Sequence, residues 1–231
     1  MAKEKKEFCY QALKTKILTL ELPAGSSIDE TMSGEYGLSR TPFRDILQRL
    51  VSEGYLTTER HRGSVVSSVS LESTRDFLRT SPMIYAGIAQ YAAENRTDAQ
   101  IEDARRVQAE YREAIRNKDV PAMLLTNHRF HEIIGEMARN PYLIPSYSRL
   151  LIDHTRASQP FYGTTHEEDA RLIQASSDDH DELIDLIEAG NAAEAMEVTL
   201  RHMELSAKMI DAIVRPKPMP IRKLLKQLQN G

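Results

Sequence analysis

Leu38-Ser39-Arg40-Thr41-Pro42-Phe43-Arg44-Asp45-Ile46-Leu47-Gln48-Arg49-Leu50 decides how the rest of the chain is read. Phe43, Ile46, Leu47 and Leu50 follow the i, i+3, i+4, i+7 spacing of one helical face. Thr41, Arg44, Asp45 and Gln48 point away from that face, and Arg40 lies on its flank. Ser39 is a good N-cap, and Pro42 is tolerated because first-turn amides have no helical partner. Such a helix is pinned to a small core by one side and offers guanidinium, hydroxyl and amide groups at its N-terminal end. Those groups suit a major-groove reader: Arg grips guanine or phosphate, Gln grips adenine, and a helix N-terminus favours phosphate. Taken alone, the stretch also fits an ordinary amphipathic surface helix, so its neighbours must decide.

Upstream, Phe8 to Leu22 reads as a first helix broken by Pro23-Ala24-Gly25, and Ile28 to Tyr36 as a short second helix closed by Gly37. Helix, tight Gly turn, helix is a helix-turn-helix pattern. Downstream of Gly54, Tyr55–Glu59 and Ser64–Ser67 are β-prone, and Arg60-His61-Arg62-Gly63 between them reads as a basic hairpin tip. A hairpin beside a helix-turn-helix forms a wing that can place its basic tip on phosphate or in the minor groove.

Charge agrees with a local rather than a general nucleic-acid surface. The 231 residues carry a net charge of −4. Residues 1–70 sum to +1, residues 71–213 to −10 and residues 214–231 to +5. A DNA-binding surface therefore belongs at the front, with an acidic body held away from phosphate. The single cysteine, Cys9, excludes an internal disulfide framework and a thiolate metal site. No run of 18 apolar residues occurs, so the default expectation is a soluble, cytoplasmic protein with no membrane partner.

After the short polar linker around Ser67-Ser68-Val69-Ser70, helical periods run over about 71–95, 98–117, 120–139, 141–158, 167–189 and 191–213. The expected fold class is mostly α: an N-terminal winged helix-turn-helix with a small β-hairpin, then an all-α helical bundle. The last segment, 214–231, is a basic tail in which Ile221, Leu224, Leu225 and Leu228 form a short amphipathic pattern.

Three bundle helices each turn a histidine inward. His131 shares a stripe with Asn127, Ile134 and Ala138. His180 lies with Leu183, Ile184 and Ile187, and His202 with Val198, Leu205 and Met209. Imidazoles plus one oxygen suit a divalent metal: zinc by imidazole preference, with nickel, manganese and iron open. The same histidines also fit two rival readings: structural residues of a metal-free core, or a metal-dependent hydrolase activating water. Against the hydrolase, no carboxylate is evidently placed as a general base.

Two resemblances bear on these choices. Leu-Pro-Ala-Gly, Gly-Leu-Ser-Arg-Thr-Pro-Phe-Arg-Asp-Ile-Leu-Gln-Arg-Leu, Glu-Gly-Tyr-Leu and Arg-Gly-Ser-Val-Val resemble the winged helix-turn-helix of the GntR family of bacterial transcription regulators. The resemblance covers about residues 8–69. It implies DNA contacts from Ser39, Arg40, Thr41 and Arg44, and from the wing tip Arg62-Gly63. The segment between Gly25 and Gly37 is one residue short of the family pattern, and Glu30-Thr31-Met32 offers no basic residue. The runs Asn-His-Arg-Phe-His-Glu-Ile-Ile, Arg-Asn-Pro-Tyr-Leu, His-Asp-Glu-Leu-Ile-Asp-Leu-Ile-Glu-Ala-Gly-Asn and Arg-His-Met resemble the FCD effector-binding domain of FadR-type GntR regulators, over about 71–213.

This second resemblance implies metal ligands Asn127, His131, His180 and His202, a homodimer, an operator in double-stranded DNA and a small-molecule effector. The family more often has Asp where Asn127 stands, so the cage is expected to carry the full 2+ charge of the metal. It commonly has Arg and Glu where this chain has Ser81 and Tyr85, which removes the usual carboxylate clamp. Tyr85 and Arg156, with His154, are then the candidates for contacting a small carboxylate or other anion. His128 is expected at the surface or behind the cage.

Overall fold

The computed structural model describes residues 2–214, save 69, 164 and 165. Helix α1 (Ala2–Leu18) leads to strand β1 (Ser27–Ile28), a 3-10 segment (Glu30–Tyr36), helix α2 (Arg40–Glu53) and strands β2 (Leu56–Glu59) and β3 (Gly63–Val66). Six further helices follow: α3 (Leu71–Asn95), α4 (Asp98–Asn117), α5 (Val120–Ala138), α6 (Ile144–Tyr162), α7 (Glu167–Ala189) and α8 (Ala192–Val214). Residues 215–231, and with them almost all of the expected basic tail, lie outside the described residues.

Helix α2 buries the four residues of its apolar stripe, Phe43, Ile46, Leu47 and Leu50. They meet Leu13 and Ile17 of α1 and Leu56 and Val66 of the sheet in one small core. Gly37 and Gly54 bracket α2, each left-handed (φ 60° and 90°). Gly54 caps the helix by donating its N–H to the carbonyls of Leu50 and Val51, and only a left-handed residue turns the chain that sharply.

Several boundaries differ from the sequence reading, each for a local reason. Helix α1 starts at Ala2, not Phe8, because the Lys/Glu run before Phe8 is made of good helix formers. It stops at Leu18, well before Pro23. Leu20 turns left-handed (φ 60°), and the Leu22 N–H then closes the end on the Lys16 carbonyl at 2.9 Å. The expected helix Ile28–Tyr36 is instead a two-residue strand and a 3-10 turn. Ile28 is buried and pairs with Ser64, and the Asp29 side chain caps the turn by accepting from the Thr31 N–H.

The wing is accordingly a three-stranded antiparallel sheet in the order β1-β3-β2, rather than a hairpin alone. Helix α6 begins at Ile144 because the Asn140 side chain accepts from the Tyr142 and Leu143 N–H groups and holds a turn there. It then runs through Pro160 to Tyr162, where a break was expected.

The bundle is capped as its sequence suggests. Ser70 and Ser73, and Thr97 and Gln100, make reciprocal capping boxes at α3 and α4. Helix α3 lies against α8 and α5, and α5 also packs on α4 and α6, so α5 is enclosed on three sides. The two parts of the chain are joined by more than the linker. Ile152 of α6 completes the N-terminal core, Lys14 pairs with Glu132 of α5 at 3.1 Å, and Arg149 of α6 donates to the Gly54 carbonyl.

Gly54 is thus a helix cap, a left-handed turn and an inter-domain acceptor together. A Cβ there would sit 2.7 Å from the Arg149 side chain. Gly54→Ala should cost about 1 kcal/mol from the left-handed backbone alone, lowering a single-transition melting temperature by about 2–4 °C. A thermal melt of the variant beside the parent measures this.

Candidate metal centre and nucleic-acid interface

One ligand nitrogen from each of His131 (α5), His180 (α7) and His202 (α8) can be chosen so that all three lie within 4.8 Å of one another. All three residues are buried. The Nε2 atoms of His131 and His180, and both ring nitrogens of His202, are buried without a hydrogen-bond partner. Burying unsatisfied polar atoms is costly, and several gathered in one place call for a shared occupant. Nitrogen donors at this separation fit a single divalent ion.

Neighbouring groups aim the rings. Gln108 donates to the Ser177 carbonyl through Nε2 and faces His180 Nδ1 with Oε1 at 3.1 Å. An amide oxygen only accepts, so His180 carries its hydrogen on Nδ1 and leaves the Nε2 lone pair toward the cluster. Behind His202 stands Asp179. One of its oxygens accepts from Arg201 at 2.9 and 2.6 Å. The other is buried and unpartnered, 3.8 Å from His202 Nδ1, too far for a hydrogen bond. This carboxylate, paired with Arg201 on its other oxygen, is an acidic group near His202 that the sequence pattern did not bring to the cluster. Asn127 is buried in α5 one turn before His131.

A fourth imidazole joins the group. The His154 ring centroid lies 5.5 Å from that of His131 and 6.4 Å from that of His202. Both its nitrogens are satisfied, Nδ1 by the Tyr85 hydroxyl at 3.2 Å and Nε2 by the Ser206 hydroxyl at 3.0 Å. The inward register Tyr147, Leu151, His154, Ser158 carried this signal in the sequence, yet His154 was read as a pocket residue and not grouped with the other three. Burial pushes the His154 pKa down to about 3, and burial followed by the neighbouring imidazoles holds His131 and His180 well below the ordinary value. Neutral imidazoles are the form that ligates metal.

Tyr85 lines a cavity of about 10 Å³ together with His131, Thr199 and His202. That is room for an object about the size of one water molecule. Arg156 is not brought to it. Two residues beyond His154, it points about 200° around α6, on the side of Ile152. It is 5% exposed, with Nε and Nη1 unpartnered. His128 is also buried, not at the surface, and its Nδ1 contacts the Thr155 hydroxyl at 2.7 Å.

At the other end of the molecule, Ser39, Arg40, Thr41 and Arg44 are all exposed. Ser39 takes the N-cap backbone conformation but makes no side-chain cap bond, so its hydroxyl is not spent on the helix. The Arg44 guanidinium is held by both oxygens of Glu30, at 2.8 and 3.0 Å, where the sequence reading saw only a missing basic residue. On the wing, Arg62 is exposed and donates to Glu59 at 2.8 Å and to the Gly25 carbonyl at 2.7 Å. Gly63 is left-handed (φ 70°) with open space beside it.

The bacterial regulatory proteins of the gntR family match residues 5–66, and the FCD domain family matches residues 82–205. The chain is a GntR-family regulator with an FCD domain.

The HTH-type transcriptional repressor RspR of Escherichia coli K12 is 24% identical over 130 residues, which span only 56% of this chain and 57% of RspR. The HTH-type transcriptional regulator LutR of Bacillus subtilis is 22% identical over 204 residues, 79% of this chain and 90% of LutR. The fold is shared with E. coli McbR/YncC (TM-score 0.75, 17% identity, 91% of this chain and 99% of that one). It is shared also with a GntR transcriptional regulator from Rhodococcus sp. RHA1 (TM-score 0.67, 14% identity, 90% and 99%).

These families and relatives are transcription regulators, not enzymes, which sets the hydrolase alternative aside. Among the described residues no helix is long and apolar enough to cross a membrane.

The buried imidazoles give this GntR-family chain a predictable acid sensitivity. The folded pKa values of His131, His154 and His180 are depressed, so below the unfolded value of about 6.5 the unfolded chain binds protons that the folded chain refuses. Stability therefore falls as pH drops from about 6.5 toward 3, by about 1.4 kcal/mol per pH unit for each histidine that stays neutral. Denaturant unfolding of chelator-treated protein between pH 7 and 5 should show this slope. His154→Gln should make it shallower by about one histidine's share.

Proposed function

We propose that this GntR-family regulator binds a pseudo-palindromic operator as a homodimer, and that a small effector, a carboxylate or other anion, bound at a divalent metal in the FCD domain sets its operator affinity. Three buried imidazoles, each with an unpartnered ring nitrogen and a ligand nitrogen within 4.8 Å of those of the other two, carry the metal part of this reading. His131, His180 and His202 would hold the ion, with Asn127 as the oxygen donor and zinc the first choice of metal. When bound, the ion supplies positive charge that attracts an anion. Gln108 orients the His180 ring, Asp179 stands behind His202, and Tyr85 lines the space beside them. Because that space is about 10 Å³, effector binding requires local opening around Tyr85, Thr199 and His202. Arg156 faces the other way and is not carried into the effector set.

At the operator, Ser39, Arg40, Thr41 and Arg44 enter the major groove of one half-site, with Arg62 and Gly63 at the flanking backbone. The Arg44–Glu30 pair is exposed, and exposed ion pairs contribute little. A bidentate Arg–guanine contact discriminates by about 1–3 kcal/mol, so Arg44 can exchange Glu30 for DNA at net gain. The effector acts by binding one arrangement of the two DNA-binding domains more tightly than the other. Helix α5 provides a short route: it carries His131 toward the metal and, on the next residue, Glu132 to Lys14 of α1.

Binding to duplexes selected from a random pool by the parent protein tests the DNA-reading surface. Arg44→Ala should lose roughly 5- to 150-fold in affinity for the selected sequence, while its circular dichroism and sedimentation remain those of the parent. Glu30→Gln should bind DNA several-fold more tightly. Affinity unchanged in Arg44→Ala would remove α2 from this role.

Elemental analysis of protein purified without chelator tests the metal. The parent should hold roughly one transition-metal ion per chain, and folded His180→Ala should hold almost none. Parent protein that neither contains metal nor takes it up would support purely structural histidines.

A further inference from the structure

A cavity of about 310 Å³ lies where the two domains meet, away from the imidazole cluster. That volume is at the small end of the range for small-molecule sites. Tyr10, Lys14 and Tyr55 line it from the N-terminal domain, and His128, Glu132 and Leu151 from the bundle. The chain itself shows what the charged end of this cavity accepts. The Lys14 ammonium lies 5.6 Å from the centre of the Tyr10 ring, 5.3 Å from that of Tyr55 and 3.1 Å from a Glu132 oxygen. Two aromatic faces and a carboxylate around an ammonium form a cation subsite.

His128 gives an independent indication. The Thr155 hydroxyl donates its one hydrogen to the Leu151 carbonyl at 2.9 Å. In that arrangement it accepts from His128 Nδ1, and the neutral tautomer with its hydrogen on Nδ1 leaves a lone pair on Nε2. That Nε2 is buried without a hydrogen-bond partner and sits 3.4 Å from the Glu132 oxygen, one acceptor facing another. A hydrogen donor placed between them would satisfy both. Glu53 and Glu136 also line it, paired with Arg49 and Arg129 outside the wall, and Lys14 is the only Lys or Arg among the described residues that line the cavity. The remaining wall is apolar, from Ile144, Leu151 and Ile152.

We propose that this inter-domain cavity binds an organic ammonium ion with an apolar body. Its ammonium takes the place that Lys14 holds beside Glu132, Tyr10 and Tyr55, its N–H groups donate to His128 Nε2 and Glu132, and its body lies on Leu151 and Ile152. The site draws its walls from both domains and needs no metal.

Calorimetric titration of the full chain at about pH 8, where an ordinary histidine is neutral, tests the proposal. The probes are phenethylamine and 1,4-diaminobutane, with 3-phenylpropionate as the anionic counterpart. At least one amine should bind and the carboxylate should not. Glu132→Gln should weaken amine binding about tenfold, the cost of one charge-assisted contact. Ser148→Trp, which fills the cavity and leaves every charged group in place, should abolish it. His180→Ala should still bind the amine, because His180 does not line this cavity. No heat from either amine, equal binding of the carboxylate, or unchanged binding in both Glu132→Gln and Ser148→Trp would overturn the proposal. Loss of amine binding in folded His180→Ala would place the amine at the imidazole cluster and overturn it as well.

Discussion

Neutral imidazole nitrogens buried without partners are the constraint around which the bundle is arranged. Each lacks the hydrogen bond it would make to water, a loss of about 1–3 kcal/mol for a buried polar group. Three helices nevertheless bring such nitrogens within 4.8 Å of one another. Aligned apolar packing alone would be met as well by leucines at these positions. The surrounding residues treat the rings as oriented parts: Gln108 fixes the His180 tautomer and the Asp179 carboxylate stands behind His202. The fourth ring, His154, differs because Tyr85 and Ser206 satisfy both its nitrogens. The cluster therefore contains three rings with free donors and one that supports the wall.

Helix α5 converts this constraint into a relation between domains. Its buried core residues, Phe130, Ile133 and Ile134, hold it in the bundle, while His131 faces the cluster and Asn127 is buried one turn before it. His128 and Glu132, each one residue further on, project about 100° away toward the N-terminal domain. A helix packed on three sides does not bend easily, so a rotation that re-aims His131 also re-aims Glu132 and the Lys14 it holds. Ile152 of α6, buried in the N-terminal core, makes the same junction apolar as well as ionic. Occupants of the cluster and of the inter-domain cavity would thus act on one element from opposite sides.

What was legible in the sequence follows from range. The α2 stripe and the three inward histidines are set by local helical period, and the apolar residues sharing their faces reveal them. Strand β1 is two residues long and exists only because β3 supplies partners for Ser27 and Ile28, so no local pattern announces it. The end of α1 rests on a leucine in a left-handed conformation, which sequence rules reserve for Gly or Asn. Helix α6 extends past the expected end at 158 because Pro160 lies in its last turn, where only two helical residues follow it. The Arg44–Glu30 pair, the Asp179–His202 approach and the inter-domain cavity join residues from different elements, and side-chain identity alone does not predict them.

If α2 and the wing read DNA as proposed, the self-pairing of Arg44 and Arg62 would let a chain of net charge −4 do so without adhering to every duplex. Affinity for arbitrary DNA comes from Lys and Arg releasing counterions from phosphate. Arg44 and Arg62 already hold Glu30 and Glu59 in the free protein, so each approaches phosphate as a nearly neutral pair. A bare phosphate offers little over the resident carboxylate. A guanine edge or a correctly placed backbone bend offers two directed hydrogen bonds, and the exchange then becomes favourable. The acidic bundle adds a longer-ranged repulsion that the front of the chain must overcome within about one Debye length, roughly 8 Å at physiological salt. Sequence discrimination is in this way gained by lowering the background, with Glu30 standing where a basic residue would have raised it.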